Sequence, residues 1–371
     1  MKIAVLKERA PYETRVALTP DTAKAFIKAG FTVSIEKDAG LISGFLDEEY
    51  VKAGAYVSGV PLEIVSDADI ILKVQPTPAS DKINELEFAR QKAVIIGLLS
   101  PFANLQLIQN YAERKITALS MEMVPRTTKA QSMDALSSQS NLAGYRAVIE
   151  AAHHFGRAMP MMMTAAGTIS PAKVLVLGAG VAGLQAIATA KRLGAAVSAY
   201  DVRAASKEQV ESVGARFISA AEVTTEVTAE GAGGYARELG AEQQQKQAEL
   251  LAEYASKSDI IISTAQIPGK PAPKLITKEM VASMREGSVL VDLATSTGGN
   301  IEGSKRDEVV KVGGVTIIGY SSMATHIPSD SSRLYAKNLY TFVTHAFKDG
   351  KLNLNDEIVK AMLVSHGGKV V

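Results

Sequence analysis

Lys173-Val-Leu-Val-Leu-Gly178-Ala-Gly180-Val-Ala-Gly183 decides the fold of this chain. Its branched apolar opening reads as a strand buried in a parallel sheet. Glycines 178, 180 and 183 follow at GxGxxG spacing, and residues 184–193 continue as an apolar helix. Gly178 permits the tight turn, Gly180 lets backbone approach a pyrophosphate, and Gly183 lets helix and strand pack closely. Phosphate charge then meets free N–H groups at the positive end of the helix. Asp201 lies 23 residues beyond Gly178, at the end of the next apolar run. A carboxylate there can accept both hydroxyls of an adenosine ribose. Glycine-rich turns also arise for packing alone, but strand, helix and acid in this order favour a dinucleotide. Asp201 repels the 2′-phosphate of NADP and so favours NAD, whereas Arg203 is a cation able to hold that phosphate.

At 371 residues and 47% hydrophobic content, the chain can build two domains with proper cores. Net charge is +1, from 40 basic and 39 acidic residues, with no basic stripe interleaved with aromatics, so nucleic acid is excluded as a partner. The absence of cysteine excludes disulfides, thiolate metal sites and a cysteine nucleophile. No metal centre is expected. The opening Met1-Lys-Ile-Ala-Val-Leu-Lys7-Glu8 is too short and too soon charged for a signal peptide and reads as a first strand. The longest uncharged stretches, 158–172 and 174–190, are interrupted by prolines or by glycines and Gln185. A membrane helix needs about 20 predominantly apolar residues, so both read as soluble core.

Strand and helix signals alternate from the start. Runs at 2–7, 32–36, 69–74, 93–99 and 116–121 read as strands with helices between them. One helix begins with Thr19 as N-cap and Pro20 at the first helical position, and another spans 104–114. A second series of strands lies at 174–177, 196–200, 259–264, 288–293 and 315–319. The pattern predicts an α/β chain of two doubly wound parallel-sheet (Rossmann-like) domains with a cleft between them. The first takes 1–136 plus about 328–371, and the second 137–327. A helical pattern over 132–155 joins them, and a last helix over 331–347 crosses back to the first. The polar tail from Lys348 is expected to be loosely held. From Val223 to Gln247 the chain is too polar and too long for an ordinary connection. It is either a functional loop, mobile over about 223–240, or a disordered insertion. Gly233-Gly234-Tyr235 within it suits a flap carrying a stacking ring, or else a surface linker with an incidental tyrosine.

A dehydrogenase acting on a ketone or imine must also deliver a proton, usually from His or Lys, and such groups contribute about 10² to 10⁴ in rate. His153 and His154 are adjacent on the linking helix, so at most one can face a cleft. His345 falls on the last helix and His366 in the tail; His326, just past a strand end, is the best placed. None has a partner suggested by spacing. The strongest polar constellation is Arg126, Gln131, Asp134 and Ser137, between the last strand of the first domain and the linking helix. Arg126 and Asp134 can pair, and Gln131 can donate and accept amide hydrogen bonds. Otherwise the stretch is a polar helix entrance capped by Asp134 or Ser132. It offers no good proton donor at neutral pH, which suits hydride transfer alone. Arg15 and Lys73 are cations beside strands that together could grip a small carboxylate. Lys73, inside an apolar run, reads as a ligand or ion-pair partner rather than a snorkelling strand end.

Over essentially its whole length the chain resembles the nucleotide-binding subunit of proton-translocating NAD(P) transhydrogenases, within the wider family that includes alanine dehydrogenase. The resemblance runs through Lys7-Glu8-Arg9, Arg15-Val-Ala-Leu-Thr-Pro20, Gln131-Ser-Met-Asp134 onward to Gly144-Tyr145-Arg146, the glycine turn, Asp201-Val202-Arg203, Lys207-Glu-Gln-Val-Glu211, Gly233-Gly-Tyr235 and Ile267-Pro-Gly-Lys-Pro-Ala-Pro273. It implies that Arg126, Gln131 and Asp134 act at the nicotinamide and its ribose, with Ser137 close by and Gln131 reaching towards the partner's nucleotide. It implies a flap, Gly234 and Tyr235, that closes over NAD(H). Gly178, Gly180, Val181, Ala182 and Gly183 match the pyrophosphate turn, and Asp201, Val202 and Arg203 the adenosine-ribose segment. Gln247 and Gln266 match further nucleotide contacts, although some relatives carry an apolar residue at 266.

Two departures separate the branches of that family. Alanine dehydrogenases carry a catalytic histidine just after the strand matching 93–99, where this chain has Ile96-Gly-Leu-Leu-Ser100-Pro101. They also lack the Arg/Gln/Asp loop and the Gly-Gly-Tyr flap. Arg15 and Lys73 match their carboxylate-binding pair, but without a proton donor these look like retained scaffold. The resemblance therefore implies a homodimer that binds NAD(H) and exchanges hydride with NADP(H) on a beta-type subunit. A membrane proton-channel subunit would come from another polypeptide, leaving this one cytoplasmic, peripheral at the inner face of the bacterial membrane. The alternative is an NAD-dependent alanine-type amino-acid dehydrogenase using Arg15 and Lys73; a catalytically silent nucleotide sensor is a further rival.

Overall fold

The computed structural model describes residues 1–78, 81, 83–219, 241–267 and 270–371. The chain divides into two compact units, Met1–Gln139 with Ala324–Val371, and Ser140–Met323.

The first unit is built on β1 (Lys2–Val5), β2 (Thr32–Glu36), β3 (Tyr56–Ser58), β4 (Ile70–Leu72), β5 (Val94–Gly97) and β6 (Thr117–Ser120). These six strands are parallel, in the order β3-β2-β1-β4-β5-β6. Helices cover both faces, so successive side chains of one strand enter different cores. Ile3 and Val5 join the core that holds Phe26, Tyr335 and Phe342, whereas Ala4 and Leu6 join the one that holds Ile64, Ile108 and Tyr111. That double burial is why the strands read as continuous apolar runs. The helix Pro20–Lys28 starts where Thr19-Pro20 predicts, with Thr19 and Thr22 forming a reciprocal capping box.

In the second unit the rest of the helix Ala135–His154 is followed by an exposed hairpin, β7 (Met162–Thr164) and β8 (Gly167–Ile169). Its main sheet comprises β9 (Lys173–Leu177), β10 (Ala196–Tyr200), β11 (Arg216–Ile218), β12 (Ile260–Ser263), β13 (Val289–Asp292), β14 (Val309–Val312) and β15 (Val315–Ile318). The order is β11-β10-β9-β12-β13-β15-β14, with only β14 antiparallel. In both sheets the first long strand is central and the winding reverses beside it. In such a sheet ligands bind outside the carboxyl ends of the strands at that reversal.

The tail is not loose. After the helix Pro328–Ala346 come a small hairpin, β16 (Phe347–Lys348) and β17 (Lys351–Leu352), the helix Glu357–Met362, and β18 (Leu363–His366) with β19 (Lys369–Val370). β18 pairs antiparallel with β6 and extends the first sheet. Ile358, Val359, Met362 and Val364 are buried, an apolar face that the polar residues around it mask in the sequence. The polar connection expected over 223–247 is also shorter, because Ala241–Lys257 is helical. Residues 223–240 lie outside the described residues. Among the described residues no helix is long and apolar enough to cross a membrane.

Candidate functional site

Gly178 follows β9 directly and adopts a left-handed φ of +93°; a Cβ there would stand 2.7 Å from the Thr264 hydroxyl. Gly180 is the N-cap of the helix Val181–Arg192 and makes no side-chain capping bond. A Cβ on it would meet nothing within 4 Å, so the space before the turn is open. Gly183 has no such room, since its Cβ would fall 1.8 Å from the Gly178 carbonyl oxygen. Gly178 and Gly183 thus have the tight-turn and close-packing geometry that their spacing suggests. Val181 and Ala182 open the helix, and the N–H groups of a first turn have no partner within it. An anion there meets both those donors and the helix dipole.

Two supports for this turn are not apparent in the sequence. Gly144, on the helix Ala135–His154, would place a Cβ 2.0 Å from the Ala182 carbonyl oxygen, so that helix touches the opening turn backbone to backbone. Thr264, just after β12, donates to the carbonyls of Leu177 and Gly178, each at 3.2 Å. Neither signal is readable until the crossing elements are placed.

Asp201 directly follows β10 and is tied to the glycine turn: one carboxylate oxygen accepts from the Ala179 N–H at 2.7 Å. Arg203 is its other partner, donating from its backbone N–H and from Nε at 2.9 Å each and from Nη2 at 2.8 Å. Burial works to raise this carboxyl, but the Arg203 side chain and the two backbone N–H groups outweigh it and hold it below its ordinary value. The charges that pull in opposite directions in the sequence, one against and one for a 2′-phosphate, form an ion pair. Val202 between them is half-buried against the adjoining core. Gln247 hydrogen-bonds the Tyr200 hydroxyl beside Asp201; burial and the Asp201 charge push Tyr200 up to about 12 against that bond. Gln266 is exposed beyond β12, its amide donating to the Leu293 carbonyl at 2.9 Å. Under it the buried Asn300 holds Ala265 from both sides, accepting from its N–H at 3.1 Å and donating to its carbonyl at 2.9 Å. The second unit therefore gathers Gly178 to Gly183, Asp201 to Arg203, Gln247 and Gln266 about the carboxyl ends of β9, β10 and β12.

Arg126, Gln131, Asp134 and Ser137 belong to the first unit. They follow β6, where a 3-10 turn, Thr128–Met133, leads into the helix Ala135–His154. Ala130 and Met133, three apart, bury into the core and leave Gln131 exposed, as is Arg126. Asp134 caps the helix: its carboxylate accepts from the Ser137 N–H at 2.9 Å and the Ser137 hydroxyl at 2.5 Å. The capping alternative for Asp134 is thus real, and it gives Ser137 a defined direction. Tyr235 and Gly234 lie outside the described residues.

Arg15 and Lys73 are both buried. Glu13 takes Arg15 Nε and Nη2 at 2.8 and 2.6 Å, and Gln139 accepts from Nη1 at 2.8 Å. Burial works to raise Glu13, but Arg15's charge and hydrogen bonds hold it below the ordinary value. Lys73 Nζ lies 3.3 Å from a Glu8 oxygen as an ion pair without hydrogen-bond geometry. Burial pushes the Glu8 carboxyl up, against Lys73. His345 pairs with Asp356 at 2.9 Å and His366 with the Thr117 hydroxyl at 2.9 Å, both structural ties. Among the described residues no group of three or more His, Asp or Glu could hold a metal ion.

Two doubly wound sheets, one with a glycine turn directly after its central strand, define an α/β protein of the Rossmann-like class. The chain belongs to the alanine dehydrogenase/PNT family, whose N-terminal domain matches residues 4–143 and whose C-terminal domain matches 147–371. It is 58% identical over 371 residues to the first part of the NAD(P) transhydrogenase subunit alpha of Rickettsia prowazekii (strain Madrid E), covering all of this chain and 96% of that protein. It is 50% identical over 376 residues to the protein of the same name from Rhodospirillum rubrum, covering 100% and 98%. The crystal structure of transhydrogenase from Sinorhizobium meliloti superposes over the whole of both chains, with 49% identity and a TM-score of 0.89.

Proposed function

We propose that this chain is the NAD(H)-binding subunit of a proton-translocating transhydrogenase. The carrying observation is the cradle formed by Gly178, Gly180 and Gly183 with Asp201 tied to it, in a chain whose relatives bear the name transhydrogenase subunit alpha. Hydride leaves C4 of NADH and joins C4 of NADP⁺ on a partner subunit, giving NAD⁺ and NADPH with no proton to deliver. The two rings are chemically alike, so the step needs little driving force, and positioning the reacting carbons about 3–3.5 Å apart supplies most of the catalysis. Val181 and Ala182 would hold the pyrophosphate, and Asp201 the adenosine ribose, with Val202, Arg203, Gln247 and Gln266 around it. Arg126, Gln131 and Asp134 would orient the ring and the partner face, Ser137 lying beside them. Tyr235, with Gly234, would exclude water, which otherwise admits side reactions.

The same reading has the chain as a homodimer beside an NADP(H)-binding beta-type subunit. A membrane subunit conducts the protons and keeps this one at the inner face of the bacterial membrane. Mixing the purified chain with an NADP(H)-binding transhydrogenase subunit, NADH and an NADP⁺ analogue of shifted absorbance tests it: analogue reduction is expected only when both proteins are present. Rapid NADH oxidation by the chain alone with pyruvate and ammonia would establish the alanine-dehydrogenase reading instead. NADH binding with no transfer to any acceptor would mark a nucleotide sensor.

A further inference from the structure

Gln131 is an exposed amide on a short turn, and it keeps one direction only if the backbone beneath it is fixed. Asn338 does this. It lies on the helix Pro328–Ala346, 7% exposed. Its two amide atoms reach the two arms of the turn: Nδ2 donates to the Ser132 carbonyl at 3.0 Å, and Oδ1 accepts from the Ser138 hydroxyl at 2.7 Å. Ser132 directly follows Gln131. Ser138 directly follows Ser137, whose N–H and hydroxyl hold the Asp134 carboxylate. One side chain thus staples the turn on both sides of Asp134. The next residue, Gln139, anchors the same helix start from within, donating to the Ser331 carbonyl at 3.1 Å and accepting from Arg15. A side-chain amide carries its donor and its acceptor on separate atoms, so it can reach both arms at once. Aspartate would set a carboxylate against the Ser132 carbonyl, and alanine would leave both arms untied.

We infer that Asn338 is a positioning residue for Gln131 and Asp134, an inference that rests on the hydride-transfer reading above. The experiment compares wild type, Asn338→Ala, Asn338→Asp and Gln131→Asn, each as the full chain mixed with an NADP(H)-binding transhydrogenase subunit. Asn338→Ala is expected to slow transfer at saturating NADH by about tenfold or more, the scale of a loosened reactive geometry, with NADH affinity kept within about three-fold. Asn338→Asp should be as slow at neutral pH and recover as acid protonates the new carboxyl, which then donates to Ser132; Asn338→Ala should show no such recovery. Equal losses in the two variants that track their melting temperatures, without recovery in acid, would overturn the inference. So would unchanged transfer in Asn338→Ala beside a slow Gln131→Asn. If the wild type transfers nothing, the function reading fails, and amide hydrogen exchange then decides. Faster exchange at Asp134 and Ser137 in Asn338→Ala, with β1 unaltered, supports the staple; unaltered exchange at Asp134 and Ser137 refutes it.

Discussion

Two glycines beside the same turn should fail in different ways when given a methyl group. In Gly144→Ala the new Cβ would lie 2.0 Å from the Ala182 carbonyl oxygen and 3.0 Å from its Cα, where ordinary contact begins near 3.4 Å. Both clashing partners are helix backbone, so no side-chain rotation relieves them. The first turn of Val181–Arg192 must retreat by about 1.4 Å, and overpacking of this kind costs about 1–3 kcal/mol. For a unit of this size that is about 2–4 °C of melting temperature per kcal/mol. The N–H groups of Val181 and Ala182 retreat with the turn, so NADH binding weakens too. Gly180→Ala differs. Its φ of −76° and ψ of −168° suit alanine, and nothing lies within 4 Å of the new methyl. Poorer capping costs about 0.5–1 kcal/mol, and the smaller unfolded-state entropy of alanine offsets about 0.4–1 kcal/mol of it. The free protein should therefore melt almost as wild type. On the proposed reading the methyl stands where a pyrophosphate approaches, and NADH affinity should fall about tenfold or more, or about 1.4 kcal/mol. Thermal melts with and without NADH, together with calorimetric titration, read both effects. Gly180→Ala should lose most of the NADH-induced rise in melting temperature from an unchanged baseline. Gly144→Ala should start from a lower baseline. Wild-type NADH affinity in Gly180→Ala, or an unaltered melt in Gly144→Ala, would refute the reasoning that close backbone approach builds a phosphate cradle.

Gln131→Asn shortens the exposed amide by one methylene and should slow hydride transfer at least about tenfold while leaving NADH affinity within a few-fold, since it acts on orientation rather than binding. A large loss of affinity with intact turnover contradicts that role. Asp201→Asn tests the ion pair through acid stability. A carboxyl held below its ordinary 3.8 contributes stability that is complete above that value and is lost as pH falls through the lowered one. Wild type should lose stability more steeply than Asp201→Asn below pH 3.8; parallel acid-denaturation curves would deny Asp201 its partners.

The central strands are legible in the sequence because burial on both faces leaves them no freedom of composition. The runs at 32–36 and 196–200 are strands over just those residues. The edges are not: β3, β11 and β14 are short, partly exposed strands that exist because a neighbour offers its hydrogen-bonding edge. The tail hides its strand for the same reason, since β18 has a reason to form only once β6 is beside it. The glycine turn is legible because left-handed backbone and close approach exclude other residue types. Gly144 is not, because a helical glycine looks like a defect until Ala182 is set against it. Asn338 is invisible for its distance, 200 residues from Ser138 along the chain.

The buried charges of the first unit bear on what chemistry it can do. Glu8, Glu13, Arg15 and Lys73 are two acids and two bases without net charge, each facing an opposite partner. Glu13 and Gln139 already engage three of the five N–H donors of Arg15, on Nε, Nη1 and Nη2, so a substrate carboxylate would compete with them for that guanidinium. A hydrogen bond to a charged group contributes about 1.5–3 kcal/mol, so each bond displaced without replacement weakens such a ligand by about tenfold or more. The loop after β5 adds no relief, because Leu99 and Ser100 donate their N–H groups to the Glu122 carboxyl, and no histidine stands among them. A keto acid would therefore compete with Glu13 and Gln139 for Arg15 and meet no histidine in that loop. Transfer between two nicotinamides asks for neither. What the same charges do accomplish is to bind Arg15 to Gln139 and so fix the start of the helix that presents Asp134 and Ser137.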